Sequence, residues 1–106
     1  YNNPYAATVR NAVDRIAKKG LKLRVSELDV GIAENTRQYH RQQADYYKEL
    51  FQLFMEYQDQ MEAVQVWGLT DDRSWRSEKY PLLFDKDMQA KLAFYSVVEA
   101  VTEKTE

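Results

Sequence analysis

The sequence predicts an α/β fold that forms one slice of a larger parallel sheet, and three observations carry the prediction. Apolar residues recur at helical spacing in three stretches, two short runs between them alternate with the period of a strand, and the order is helix, strand, helix, strand, helix. Parallel strands need a connection of a dozen or more residues, which the helices supply. A parallel sheet is normally covered on both faces and contains several strands, so two strands alone call for more of the same fold.

The first helix is marked by its ends: Asn3 suits an N-cap, Pro4 the first turn, and Gly20 the left-handed residue that closes a helix. Between them Val9, Ala12, Val13, Ile16 and Ala17 share one face, which predicts a helix over about residues 4–19. After Gly20, Leu21, Leu23, Val25 and Glu27 share one parity, and Lys22, Arg24 and Ser26 the other. Glu27 is therefore expected on the side of the apolar residues. Lys22 and Arg24 then fall on the face that should meet the helices, so either their stems snorkel to the open end of the strand or the strand begins later.

A long second helix is predicted over about residues 36–60, with Tyr47, Leu50, Phe51, Phe54, Tyr57 and Met61 as its apolar stripe. "EAVQVWG", Glu62 to Gly68, reads as the second strand. Residues 87–103 read as the third helix, carrying Leu92, Tyr95, Val98 and Val101, and the closing "TEKTE" reads as a fraying helix end. The tyrosines Tyr46, Tyr47 and Tyr57 fit packing between helices. There is no internal repeat, low-complexity tract or linker, and nothing calls for more than one domain.

Composition narrows the function. The chain has 106 residues, 15 basic against 17 acidic, a net charge of -2, eight tyrosines and no cysteine. That is the make-up of a soluble globular chain. A balance so close to neutral argues against nucleic acid or an anionic membrane as partner, since both require a basic patch. No apolar run reaches the length of a membrane span, and the first residues lack the apolar core of a secretion signal. Without cysteine there is no disulfide and no thiolate metal site.

In parallel α/β folds, function gathers at the carboxyl ends of the strands. Glu27 and Asp29 end the first strand here, Trp67 ends the second, and about 18 residues of loop, "GLTDDRSWRSEKYPLLFD", follow before the last helix. Acids beside tryptophans suit sugar chemistry: an indole face covers the apolar C–H surface of a pyranose, and a carboxylate attacks or stabilises its anomeric carbon. Taken alone, an acid at a strand end is more often a solvated loop residue or a cap. Asp71 and Asp72 read as turn-formers, and His40 as a solvated residue of the long helix; Arg73 and Arg76 are long enough to reach substrate hydroxyls but read first as solvated loop arginines.

The stretches "RVSELDV", "QQADYYKELF", "VQVWGLTDDRSW", "PLLFD" and "AKLAFYSV" together resemble the C-terminal part of glycoside hydrolase family 10 xylanases. The resemblance runs over nearly the whole chain. Its most specific feature is an S/T-E-L-D strand end combined with two tryptophans, Trp67 and Trp75, in a W-G-x-x-D-x-x-S-W pattern. Ser26 stands where threonine is commoner, and Leu92 and Phe94 stand where a K-P-A-Y stretch has Pro and Tyr; these departures lie away from the chemistry.

The resemblance implies a (β/α)8 TIM barrel of which this chain supplies helix six, strand seven, helix seven, strand eight and helix eight, as an incomplete part of a single catalytic domain. It implies a retaining endo-1,4-β-xylanase acting on xylan or xylo-oligosaccharides, with no cofactor, metal, nucleic acid or membrane, in a secreted, periplasmic or cell-surface setting. Glu27 then matches the catalytic nucleophile, and Asp29 the acid that helps orient a histidine beside it. Trp67 and Trp75 match the aromatic walls of the sugar site. The acid/base glutamate and that histidine belong to strands four and six of the family, so the N-terminal remainder of the barrel, in the same or a companion chain, is an expected partner. His40 is not that histidine. A non-catalytic carbohydrate-binding or structural fragment, or another barrel glycosidase such as a cellulase or mannanase, are the alternatives.

Overall fold

The computed structural model describes residues 4–103. The chain runs α1 (Pro4–Lys18), β1 (Leu23–Leu28), α2 (Arg37–Glu56) and β2 (Met61–Val66), then two single 3-10 turns at Asp71–Arg73 and Ser77–Lys79, and closes with α3 (Leu92–Thr102). β1 and β2 pair in parallel as a two-stranded sheet, so the alternation read from the sequence is present. The expected cap at Asn3 and the last three residues of the expected fraying end lie outside the described residues.

The core forms where α2 and α3 pack on the sheet. Tyr47, Leu50, Phe51, Leu53 and Phe54 of α2 are buried together with Val30, Ala93 and Ala100, and Val9, Val25, Leu28, Met61, Val64 and Val97 close around them. Burying side chains such as Leu50 and Leu53 stabilises the fold by about 1.5–3 kcal/mol each. The Phe51 and Phe54 rings meet edge to face with centroids 5.7 Å apart, the arrangement their quadrupoles favour. Tyr57 packs here too and donates its hydroxyl to Asp14 Oδ1 at 3.0 Å, tying α2 to α1. Among the apolar residues expected on the inner face of α1, only Val13 is buried, and Ile16 is exposed.

Two helix boundaries differ from expectation, each for a local reason. α2 begins after Thr36, whose hydroxyl accepts from the Tyr39 amide at 3.2 Å, and it stops at Glu56. α3 begins at Leu92 rather than near residue 87 because Asp85 Oδ1 accepts from the amides of both Asp87 and Gln89, at 2.9 and 3.0 Å. That turn places Met88 at a φ of 61° and delays the helix. The inner face of α3 also differs. Ala93 and Ala100 are buried, whereas the expected Leu92, Tyr95 and Val98 are exposed. Small residues let α3 lie close on α2, which turns its large apolar side chains outward.

The sheet corrects the expected facing of β1. Leu23 pairs with Met61 and Val25 with Val64; Leu23 is buried, and Val25, Met61 and Val64 pack on the helical core, whereas Arg24 is exposed. No snorkelling is needed; the strand begins at Leu23, after Lys22. Glu27 does not follow Leu23 and Val25 inward. Between the pairs Val25↔Val64 and Leu28↔Val66, β1 carries two residues, Ser26 and Glu27, where β2 carries only Gln65. This is a β-bulge, and it re-aims the side chains beyond it. Leu28 accordingly returns to the core while Glu27 is exposed.

Candidate active site

Both strands deliver their ends to one place. The Trp67 amide donates to the Leu28 carbonyl at 2.8 Å, which sets Trp67 directly across from the Glu27–Asp29 segment. Glu27, exposed on the bulge, meets no hydrogen-bond donor among the described residues. A carboxylate so placed is free to act on a ligand. Gly68 then turns the chain at a φ of 123°, and a Cβ there would lie 2.8 Å from Leu82 Cδ1, so both the turn and the close approach require glycine.

The loop that follows is held from beneath by a buried polar network. Asp71 accepts from the Leu82 amide at 2.7 Å through Oδ1 and from Lys91 Nζ at 2.8 Å through Oδ2. Their side chains are 7% and 5% exposed, so this ion pair is largely withdrawn from solvent. Lys91 Nζ also donates to the Tyr80 carbonyl at 2.9 Å, which receives Gln43 Nε2 at 2.6 Å as well. Gln43 Nε2 further reaches the Val30 carbonyl at 2.7 Å, and the Tyr47 hydroxyl donates to the Pro81 carbonyl at 2.6 Å. Burial pushes the Tyr47 phenol well above its ordinary pKa, so it is a permanent donor. Burial likewise lowers the pKa of the Lys91 ammonium, an effect that the hydrogen bond and charge of Asp71 oppose.

The reading of Asp71 as a turn-former is thus incomplete: it opens a 3-10 turn and also anchors the loop. The loop's free side carries Trp75, 71% exposed. Its indole Nε1 donates to Asp29 Oδ2 at 2.9 Å, and Arg76 Nη2 donates to Asp29 Oδ1 at 2.9 Å. The Arg76 guanidinium also lies 5.4 Å from the centroid of the Trp75 ring. Arg76 is therefore not a solvated loop arginine, because it is paired across the fold. The structure brings Asp29 and Trp75 into contact and places Trp67, 48% exposed, beside the Glu27 strand end. An exposed carboxylate beside one exposed indole, with a second exposed indole tied to a neighbouring carboxylate, can receive a ring that offers an apolar face and a reactive carbon.

His40 also departs from its expected solvation. It is half-buried, with Nε2 2.7 Å from Asn35 Oδ1, and burial pushes its pKa down, with the charge of Lys91 adding to the fall and Asp71 and Gln43 opposing it. It helps line a cavity with Asp72, Ser77, Asp85, Lys86 and Asp87 that contains none of Glu27, Asp29, Trp67 or Trp75. Among the described residues, no cluster of three or more His, Cys, Asp or Glu is placed to hold a metal ion, and no helix is long and apolar enough to cross a membrane. Sequence reasoning missed Lys91 and Gln43, and it named Arg76 but read it as solvated. The one available signal was Gln43, an amide one turn before Tyr47 on the buried face of α2.

Residues 1–100 match the model of Glycosyl hydrolase family 10. The chain is 33% identical to an endo-1,4-beta-xylanase of Geobacillus stearothermophilus over 114 aligned positions, covering 92% of this chain and 34% of that protein. A family 10 xylanase from termite gut that contains a bacterial Ig-like domain superposes with a TM-score of 0.87 at 34% identity, over 92% of this chain and 26% of the other. An intracellular xylanase of Thermoanaerobacterium saccharolyticum, solved with xylotetraose, superposes with a TM-score of 0.79 at 34% identity, over 84% of this chain and 28% of the other. The chain spans about a third or less of the length of the curated relatives it matches.

Proposed function

The chain belongs to glycosyl hydrolase family 10, and from that premise we propose that it is the C-terminal part of the catalytic domain of a retaining endo-1,4-β-xylanase. Family membership places the chain in a (β/α)8 barrel fold. In this reading α1 is helix six, β1 strand seven, α2 helix seven, β2 strand eight and α3 helix eight, and the open face of the sheet with Arg24 and Glu27 looks into the barrel. The N-terminal remainder supplies the other strands. The exposed Leu92, Tyr95 and Val98 of α3 support this, since they leave an apolar stripe on the helix open to solvent.

The observation that carries the reading is the bulge at Ser26 and Glu27, which releases Glu27 from the helix-facing side at the C-terminal end of its strand, next to Trp67. That is where a barrel enzyme places its chemistry. Glu27 acts as nucleophile: its carboxylate attacks the anomeric carbon of a xylose unit while a second carboxylic acid, from the remainder of the barrel, protonates the departing glycosidic oxygen. Retaining chemistry holds two such groups about 5–5.5 Å apart. Water then cleaves the glycosyl–enzyme ester, with the second group now acting as base. Trp67 and Trp75 stack on the sugar faces, and Asp29 secures Trp75 through its indole N–H while helping to orient the histidine that the barrel brings to Glu27.

The xylotetraose complex of a similar enzyme supports a xylan-type ligand. The test is to incubate the full-length protein carrying this chain with an aryl β-xylobioside and follow the anomeric configuration of the first product by proton NMR. Retention, with hydrolysis abolished by Glu27→Gln, is expected. An inverted product, or full activity of Glu27→Gln, would overturn the assignment.

A further inference from the structure

Asp29 uses both of its oxygens within this chain, one for Trp75 Nε1 and one for Arg76 Nη2, each at 2.9 Å. Its side chain is 11% exposed, and that of Arg76 is 33% exposed. The guanidinium completes a triangle, since it also lies over the neighbouring indole, 5.4 Å from the ring centroid. Gly31 leaves room for it: a Cβ at that position would stand 2.9 Å from Arg76 Nη2 and 2.9 Å from Lys79 Cβ. Arg76 Nε is buried with no acceptor among the described residues. Leaving that donor unpaired costs free energy, so the guanidinium is held in this pose by its other contacts.

From this triangle we propose that Arg76 is a positioning residue for the sugar site: it fixes the plane of the Trp75 indole by stacking on it and by sharing its carboxylate partner, and so sets how tightly a xylosyl unit is held against that wall. Arginine suits the task where lysine does not, because a planar guanidinium can stack on the indole and hydrogen-bond a carboxylate edge at once. Arg76 need not touch the sugar. The inference rests on the reading of Trp75 as a wall of a xylan site.

The test uses the full-length protein carrying this chain, with xylotetraose as substrate, and compares the parent with Arg76→Met, Arg76→Lys, Trp75→Ala and the Trp75→Ala/Arg76→Met double variant. Arg76→Met is expected to raise KM about tenfold with kcat changed by less than about twofold, in line with the loss of one charge-assisted hydrogen bond. Arg76→Lys, which keeps the charge and loses the fork, should fall between parent and Arg76→Met and guards against a folding failure of the latter. The double variant should be no worse than Trp75→Ala, because Arg76 acts only through that ring. Additive losses in the double variant, an unchanged KM in Arg76→Met, or a fall in kcat alone would each overturn the inference while leaving the xylanase reading in place. A parent protein that neither binds nor cleaves xylotetraose would overturn both.

Discussion

Replacing Lys91 with methionine should damage the protein through a residue that never meets substrate. Lys91 Nζ serves two acceptors, Asp71 Oδ2 at 2.8 Å and the Tyr80 carbonyl at 2.9 Å. The carbonyl keeps a second donor in Gln43 Nε2, so its loss is small. Asp71 is the costly partner. Its carboxylate, 7% exposed, would keep only the Leu82 amide and would lose its counter-ion. Removing one member of a buried pair costs about 3–5 kcal/mol, because the remaining charge stays desolvated. Adding Asp71→Asn removes that charge and keeps an oxygen for the Leu82 amide. The double variant should therefore lose only about 1–3 kcal/mol, the cost of an imperfectly paired buried amide. Urea unfolding of the full-length protein and its variants, followed by circular dichroism, measures both. A loss below about 1 kcal/mol for Lys91→Met, or a double variant less stable than the single one, would refute the reasoning that desolvated charge dominates here.

Three further outcomes are expected. Trp75→Ala and Trp67→Ala should each reduce kcat/KM on xylo-oligosaccharides by the equivalent of about 1–3 kcal/mol, the scale of a lost aromatic contact, and Trp75→Ala should leave the melting temperature nearly unchanged because the ring is 71% exposed; unchanged kinetics with a lowered melting temperature would make it a core residue. The isolated 106-residue chain should show no sharp cooperative melt and no xylan hydrolysis, since the open sheet face and the Leu92, Tyr95 and Val98 stripe stay uncovered. His40 supplies a pH dependence: burial lowers its folded pKa below the unfolded value of about 6.5, so as the pH falls through that range the unfolded chain binds the extra proton first and stability is lost. His40→Gln should therefore lose less melting temperature between about pH 7 and about pH 5 than the parent does, and an equal loss would exclude this contribution.

The order of elements was legible because it rests on local signals: the turn at Gly20, the Thr36 start of α2, and period-two runs flanked by period-3.6 stripes. The facing of Glu27 was not. It depends on a bulge, and a bulge is a property of the register between two strands separated by a helix, which neither strand's parity contains. The start of α3 was hidden by Asp85, whose side chain captures two amides in a turn that hydrophobic spacing does not register. The polar supports of the site were hidden for another reason. Arg76 meets Asp29 across 47 positions and Lys91 meets Asp71 across 20, and a charged residue carries no sign of its partner. The tryptophans were visible because their spacing and their place after strands carry the pattern on their own.

The most direct test of the central claim, that Glu27 is a nucleophile released onto the open sheet face by the bulge, is the configuration of the product formed when its carboxylate is removed. In a Glu27→Gly variant of the full-length protein, an aryl β-xylobioside should turn over very slowly, since no covalent intermediate can form. Added azide can occupy the space below the anomeric carbon and attack there. The account predicts that azide restores release of the phenol and yields the α-xylobiosyl azide, with inverted configuration. A β-azide would instead identify Glu27 as the acid/base, and unimpaired hydrolysis by the variant without azide would contradict any catalytic role for it.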